Sequence, residues 1–338
     1  MRRRNFISYA LGATALGAVG VHLGSKYARS GGSFGAAHLA KLTRHNRALG
    51  TDTSITVFHA DRATANQAID QAFAAIDHVE QVMSLYRADS QLSQLNRAGE
   101  LADPDPALVA VLERAAALSA QSHGAFDVTV QPLWSVYEKA AATNQLPSTT
   151  TLAKTLTRVD WRQVSVSAET ISFQLPGMAI TLNGIAQGLA ADAAAHALRE
   201  AGIEHALIDS GEIGTVGPHA EKDHWSIGLK DPRNPVGILG IARLDGRCLA
   251  TSGDYETTFA SDFSAHHLLD PRTGHSPTEL ASVSVVAPTA LEADALSTAV
   301  FLMGPRQGRA LVDSLPNVDA LFVDKAHRVT RTAQFPLS

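Results

Sequence analysis

Cysteine is almost absent from this chain. Cys248 is the only one in 338 residues, which excludes an internal disulfide framework and a Cys-based zinc site. With no cysteine near the N-terminus, a lipoprotein-type anchor has no attachment point. Charge is sparse at 18% and aromatic residues at 6%, while hydrophobic residues reach 45%; that balance excludes a disordered chain and fits a globular one with an ample core. Basic residues are outnumbered, 28 against 33 acidic. The clustered Lys and Arg that general nucleic-acid binding needs are missing, so any phosphate site must be local. Also absent are a G-x-G-x-x-G fingerprint, a Walker lysine and any internal repeat.

The first thirty residues stand apart. Arg2-Arg3-Arg4-Asn5-Phe6-Ile7 opens a basic segment, and residues 7–23 carry no Lys, Arg, Asp or Glu. That run is rich in Ala and Gly, only mildly apolar, and short of the ~20 strongly apolar residues of a spanning helix. Paired arginines, a nearby Phe and a weak apolar region resemble a twin-arginine export signal. The reading this implies is a periplasmic protein; an uncleaved leader would instead tether it to the membrane. Removing residues 1–30 takes away five basic residues and no acids, leaving 23 against 33 and a net charge of −10.

Residues 31–50, rich in Gly, Ser and His, read as a tether, and residues 51–338 as one large domain, with two lobes as the alternative arrangement. A strand is expected over 54–59 from its β-branched content. Ile69, Ala72, Phe73, Ile76, Val79 and Met83 recur at threes and fours, which predicts a helix over 63–85. Asp103-Pro104 reads as the N-cap and first residue of a second helix ending at Gly124. Further helices are expected over 149–157, 185–201 and 290–303, the last stopped by Gly304-Pro305. Strands are expected over 164–167, 171–174, 205–208, 225–229, 239–244, 282–287 and 320–323. Interleaved helices and hairpin-like strand pairs predict an α+β fold, a largely antiparallel or mixed sheet with packed helices.

The chemistry-bearing residues gather late in the chain. His267-Leu268-Leu269-Asp270-Pro271-Arg272-Thr273-Gly274 places an imidazole, a carboxylate, a guanidinium and a hydroxyl in eight residues. Asp294 and Thr298 follow, four residues apart on a helix and hence on one face. Such oxygen ligands suit a hard divalent cation such as Mg2+. Asp270 either orients His267 or caps its own turn, and Arg272 either meets a phosphate or forms a surface ion pair. Upstream, 181–192 has the form of a strand end, a glycine turn and a helix start, which offers backbone N–H groups to an anion. Two further segments, 83–96 and 124–129, are loop-like and polar, and 250–255 is a small-residue turn.

Taken in order, Met83-Ser84-Leu85-Tyr86-Arg87 with Ser90, Ser93 and Asn96, then Gly124-Ala125-Phe126-Asp127, Asn183-Gly184-Ile185-Ala186-Gln187-Gly188, Ala250-Thr251-Ser252-Gly253-Asp254-Tyr255, His267-Leu268-Leu269-Asp270-Pro271 and Asp294-x-x-x-Thr298 resemble the FAD:protein FMN transferase, or ApbE, family over residues 54–323. The resemblance implies an enzyme that binds FAD and Mg2+, moves FMN onto a Thr or Ser hydroxyl of a target protein, and releases AMP. By position it makes Gly184 (through its carbonyl), Asp294 and Thr298 the metal ligands, with Ser297 beside them. It makes Met83, Tyr86, Ala125, Phe126, Asp127, Gln187 and Leu268 the flavin-nucleotide contacts. His267, rather than its neighbour His266, falls at the family's proposed catalytic histidine. The implied partner is an exported, flavin-accepting redox protein. An FAD pyrophosphatase yielding FMN and AMP, and a non-catalytic flavin carrier, are the alternatives. Thr181, Asn183, Gln187 and Glu212 depart from the family's usual residues at their positions.

Overall fold

The computed structural model describes residues 39–338; the leader and the first part of the expected tether lie outside the described residues. The remainder of that tether is not a linker. Residues Ala40–Ala48 form strand β1, paired along its whole length with β2 (Thr51–His59). Its exposed, polar Lys41, His45, Asn46 and Arg47 suit a sheet edge, where charge discourages pairing with another chain.

The main sheet continues through β6 (His205–Asp209), β7 (Ile213–Val216), β10 (Cys248–Gly253), β11 (Leu280–Ala287), β12 (Asp319–Asp324) and β13 (Val329–Arg331). In space the order is β1-β2-β6-β7-β10-β11-β12-β13, and every neighbouring pair is antiparallel. β3 (Glu100–Ala102), β4 (Val164–Val166) and β5 (Thr170–Phe173) make a small second sheet, and β8 (Trp225–Asp231) with β9 (Asn234–Leu244) a hairpin. The expected α+β architecture is what the chain adopts.

Every residue of β11 is buried, because both faces of the sheet are covered. Val283, Val285 and Ala287 join the larger core beneath the helices, whereas Ala281 and Val286 join Trp225, Leu229 and Leu244 of the hairpin on the other face. Three long helices form the first cover: α1 (Arg62–Met83), α6 (Ala186–Glu200) and α7 (Ala290–Asp313). α6 packs between α1 and α7. Gly188 permits the close approach: a β-carbon there would lie 2.3 Å from the Ala290 carbonyl oxygen.

α2 (Gln91–Ala98), α3 (Pro106–Gln121), α4 (Gln131–Ala141) and α5 (Thr149–Leu156) complete the α-helices of the described residues. The N-cap of α3 is Asp105, with Pro106 following, two residues beyond the Asp103-Pro104 pair that spacing had singled out. Asp103 instead adopts a left-handed φ of 47° in the approach turn. At Gly304 the dihedrals leave helical space (φ 77°, ψ 173°). The expected stop is therefore real, and a second helical stretch begins at Pro305, where the missing N–H is no loss.

Candidate active site

One cleft of about 650 Å³ opens where β10, α6, α7 and the loops after α1 and α3 meet, and all eleven residues singled out as site candidates line it. Met83 ends α1 and is buried, while Tyr86, three residues on, is 75% exposed at the mouth. Between them Ser84 turns the chain; its carbonyl accepts from the Ser90 hydroxyl at 2.6 Å, which ties the loop to the start of α2.

Ala125 and Phe126 are buried below the opening. Asp127 lines the same wall, but its carboxylate is engaged within the protein. Oδ1 accepts from the Thr129 amide and hydroxyl, and Oδ2 from the Trp161 amide. Burial pushes this carboxyl up, and those donors pull it back. Asp127 shapes the wall rather than offering a free charge.

Asp294 and Thr298 lie one turn apart on α7. The N-terminus of that helix is capped twice: the Thr289 hydroxyl accepts from Glu292, and the Asp192 carboxylate accepts the Ala290 and Leu291 amides at 2.9 Å each. These caps fix the helix and with it the two side chains. Asp294 is 3% exposed, and Oδ2 accepts one hydrogen bond, from the Gly188 amide at 2.9 Å. Oδ1 has no donor among the described residues. Burial holds the Asp294 carboxyl up at about 7, chiefly by desolvation, against the pull of the Gly188 amide. Glu212, after β6, is raised well above the carboxylate range by burial first and by the charge of Asp294 second.

Thr298 touches the glycine turn: a β-carbon on Gly184 would stand 2.9 Å from Thr298 Oγ1. Ser252 on β10 adds a hydroxyl, 2.8 Å from Ser297 Oγ and 3.1 Å from Thr298 Oγ1. The sequence reads residues 250–255 as a small-residue turn and assigns Ser252 no role, but the strand Cys248–Gly253 takes in most of that segment, Ser252 included. Gln187 reaches across to Gly211, where a β-carbon would lie 2.5 Å from its Nε2.

Among the described residues no group of three or more His, Cys, Asp or Glu side chains forms a metal cage. What the cleft offers instead is all oxygen: the Asp294 carboxylate, the Thr298 and Ser252 hydroxyls, and the backbone at Gly184. A buried carboxylate short of donors and held up by desolvation is stabilised by a cation, and oxygen-only donors select a hard one. The residues fit Mg2+.

His267 is half-buried on the cleft wall. The Thr257 carbonyl accepts from its amide at 3.0 Å and lies 3.3 Å from its Nδ1. A carbonyl can only accept, so the neutral ring carries its proton on Nδ1 and presents Nε2 as a lone pair. Burial lowers the imidazole below its ordinary value, partly offset by the Thr257 contact. His266 points the other way. It is fully buried, donates Nε2–H to the Pro277 carbonyl at 3.1 Å and meets the Phe301 ring edge-on. Leu268 and Leu269 are buried beside them.

Asp270 caps its own turn. It accepts from the Arg272 amide, Nε and a terminal nitrogen at 2.8–2.9 Å and makes no contact with His267. Arg272 is thereby held in an ion pair and also donates to the Leu302 carbonyl. Of the two readings open for each residue, the structural one holds.

A model of the ApbE family matches residues 49–322. Among curated relatives, an FAD:protein FMN transferase of Treponema pallidum is 32% identical over 88% of this chain and 89% of its own length. One from Klebsiella pneumoniae is 30% identical over 82% and 87%. Among solved structures, the ApbE protein of Thermotoga maritima superposes with a TM-score of 0.80 at 27% identity, covering 88% of this chain and all of that one. The flavin transferase ApbE of Vibrio cholerae gives 0.76 at 25%, covering 89% and 100%.

Proposed function

The chain belongs to the ApbE family, and from that premise we propose that it is an Mg2+-dependent FAD:protein FMN transferase that esterifies a Thr or Ser hydroxyl of a target protein and releases AMP. The observation that carries this reading is the shared cleft, in which an oxygen donor set and a histidine with a free Nε2 stand among the expected nucleotide contacts.

A hydroxyl is a weak nucleophile near neutral pH, so its attack on a phosphorus gains from a base. His267 fills that role through Nε2, its Nδ1–H fixed by Thr257. The hydroxyl proton passes to Nε2 as the oxygen forms a bond to the FMN phosphorus. The bond from that phosphorus to the bridging oxygen breaks, and AMP leaves with the bridge oxygen. Asp294, Thr298 and the Gly184 carbonyl would hold Mg2+, which when bound supplies charge neutralisation at the diphosphate. The lowered imidazole keeps the base neutral and ready at physiological pH. Met83, Phe126 and Leu268 give the flavin an apolar wall, and Tyr86 an exposed ring at the mouth.

Export by the Arg2-Arg3-Arg4 leader, and hence a periplasmic redox protein as acceptor, belongs to the same proposal and is supported by the leader's composition. Incubation with FAD and Mg2+, with and without a Ser/Thr-bearing redox subunit, tests the reaction. AMP release that requires the acceptor supports transfer. Equal release without it identifies a pyrophosphatase, and FAD binding with no release identifies a carrier.

A further inference from the structure

The Asp254 side chain, next to the cleft, is wholly buried yet sits between two cations. Arg233, in the β8–β9 turn, grips it with two hydrogen bonds of 2.8 and 2.7 Å, and Lys325, in the β12–β13 turn, contacts the same carboxylate. The same ammonium also donates to the Phe263 carbonyl at 2.8 Å, and the Arg233 guanidinium stacks over the Phe263 ring at 4.4 Å. Asp254 and Phe263 are two points on one loop, residues 254–266, which leaves β10 and returns at His267. A third tie joins the two gripping turns, where His327 lies 2.9 Å from Asp231.

Desolvating three ionised groups is costly unless geometry and hydrogen bonds compensate, and leucine-type packing would hold a surface loop more cheaply. What the ionic cluster provides is fixed geometry. Asp254 pins the base of the loop, and Phe263, at a left-handed φ of 60°, pins its far side. Between them stands Thr257, whose carbonyl faces the His267 ring. The loop closes on itself through Phe259 and Ala260 amides to the Ala265 carbonyl and a bridge between Thr258 and His266. Glu256 of the loop pairs with Lys230, and both line the cleft.

We propose that Lys325, Asp254 and Arg233 act as positioning residues for the transfer, holding the 254–266 loop so that Thr257 locks His267 in the tautomer whose Nε2 is free to take a proton. None of the three lines the cleft; they act through the Thr257 carbonyl. The inference rests on the reading of His267 as the base.

Lys325→Met is the informative variant, because it frees the Phe263 carbonyl while leaving the two-bond Arg233–Asp254 pair in place. Three measurements on the purified protein decide the matter: kcat and KM for AMP release from FAD in the presence of the acceptor, thermal unfolding, and the imidazole nitrogen shifts of His267 by NMR, assigned with His267→Gln. The expected result is a fall in kcat of about ten- to a hundredfold with KM for FAD held within about twofold. His267 should pass from a single Nδ1–H form to a mixture of tautomers, and Lys325→Arg should restore both readouts. Unchanged nitrogen shifts, or a loss of activity no greater than the loss of folded protein, would overturn the proposal. His267→Ala separates this failure from failure of the underlying reading: undiminished transfer there removes the base itself, whereas loss there with an unaffected Lys325→Met removes only the positioning cluster.

Discussion

The Gly188 amide donates to Asp294 Oδ2 at 2.9 Å, so the start of α6 and the second turn of α7 are joined at the carboxylate that the proposed mechanism needs. The glycine serves two purposes there, since it supplies the donor and lets the helices touch. Gly188→Ala places a β-carbon 2.3 Å from the Ala290 oxygen and 2.8 Å from Asp294 Cβ. Backbone must then shift, and a stability loss of about 1–3 kcal/mol is expected. Denaturant unfolding checks it; an unchanged midpoint would mean that α6 and α7 are not so tightly apposed.

Gly184 makes a subtler case. A β-carbon there meets the Thr298 hydroxyl at 2.9 Å, its methyl at 3.3 Å and its Cβ at 3.4 Å, so the turn must give by a few tenths of an ångström. Gly184→Ala is therefore expected to cost about 1 kcal/mol of stability while weakening the Mg2+ dependence of transfer severalfold. Titrating AMP release against Mg2+ measures it. An unaltered half-saturation would place the metal elsewhere.

The Asp294/Thr298 pair was legible because helical spacing alone puts residues four apart on one face, and the His267 turn because its residue types are dense. Other parts were not. Asp254, Arg233 and Lys325 come from three turns separated by 21 and 71 positions, and nothing local marks them as partners. The nearness of Glu212 to Asp294 depends on the β6–β7 turn lying against β10, where the Thr251 amide donates to the Glu212 carboxylate, and no spacing encodes that. Strand β1 was hidden by its polar residues, since an edge strand lacks the alternation that burial imposes on an inner one. By sequence the α6 start has the form of an anion-binding turn; the structure adds that its Gly188 amide is directed at a carboxylate of its own chain.

His266 sets an acid limit on stability. Burial holds its ring down at about 4, below the ordinary 6.5. Between these values the unfolded chain takes up a proton that the folded one refuses. Stability from this residue is therefore complete above about pH 6.5 and is lost as pH falls toward 4, by at most roughly 3 kcal/mol. Chemical unfolding of wild type and His266→Leu at pH 7, 5.5 and 4.5 checks this: the variant should lose part of the acid slope. Parallel slopes would mean that the ring is protonated inside the fold.

Tyr86 is 75% exposed and contributes little to packing. Tyr86→Ala should leave the unfolding free energy within about 0.5 kcal/mol while raising KM for FAD, as loss of an aromatic contact at the cleft mouth requires. Calorimetry and steady-state kinetics together decide it, and an unaltered KM would remove Tyr86 from the nucleotide contacts.

The most direct test of the account is the intact mass of an acceptor protein after incubation with FAD, Mg2+ and either the wild-type chain or Asp294→Ala. The expected result is a gain equal to FMN minus water, localised to one Ser or Thr and accompanied by equimolar AMP, which the variant fails to produce. An acceptor that gains no mass while AMP accumulates, or one that gains it equally with Asp294→Ala, would contradict the account.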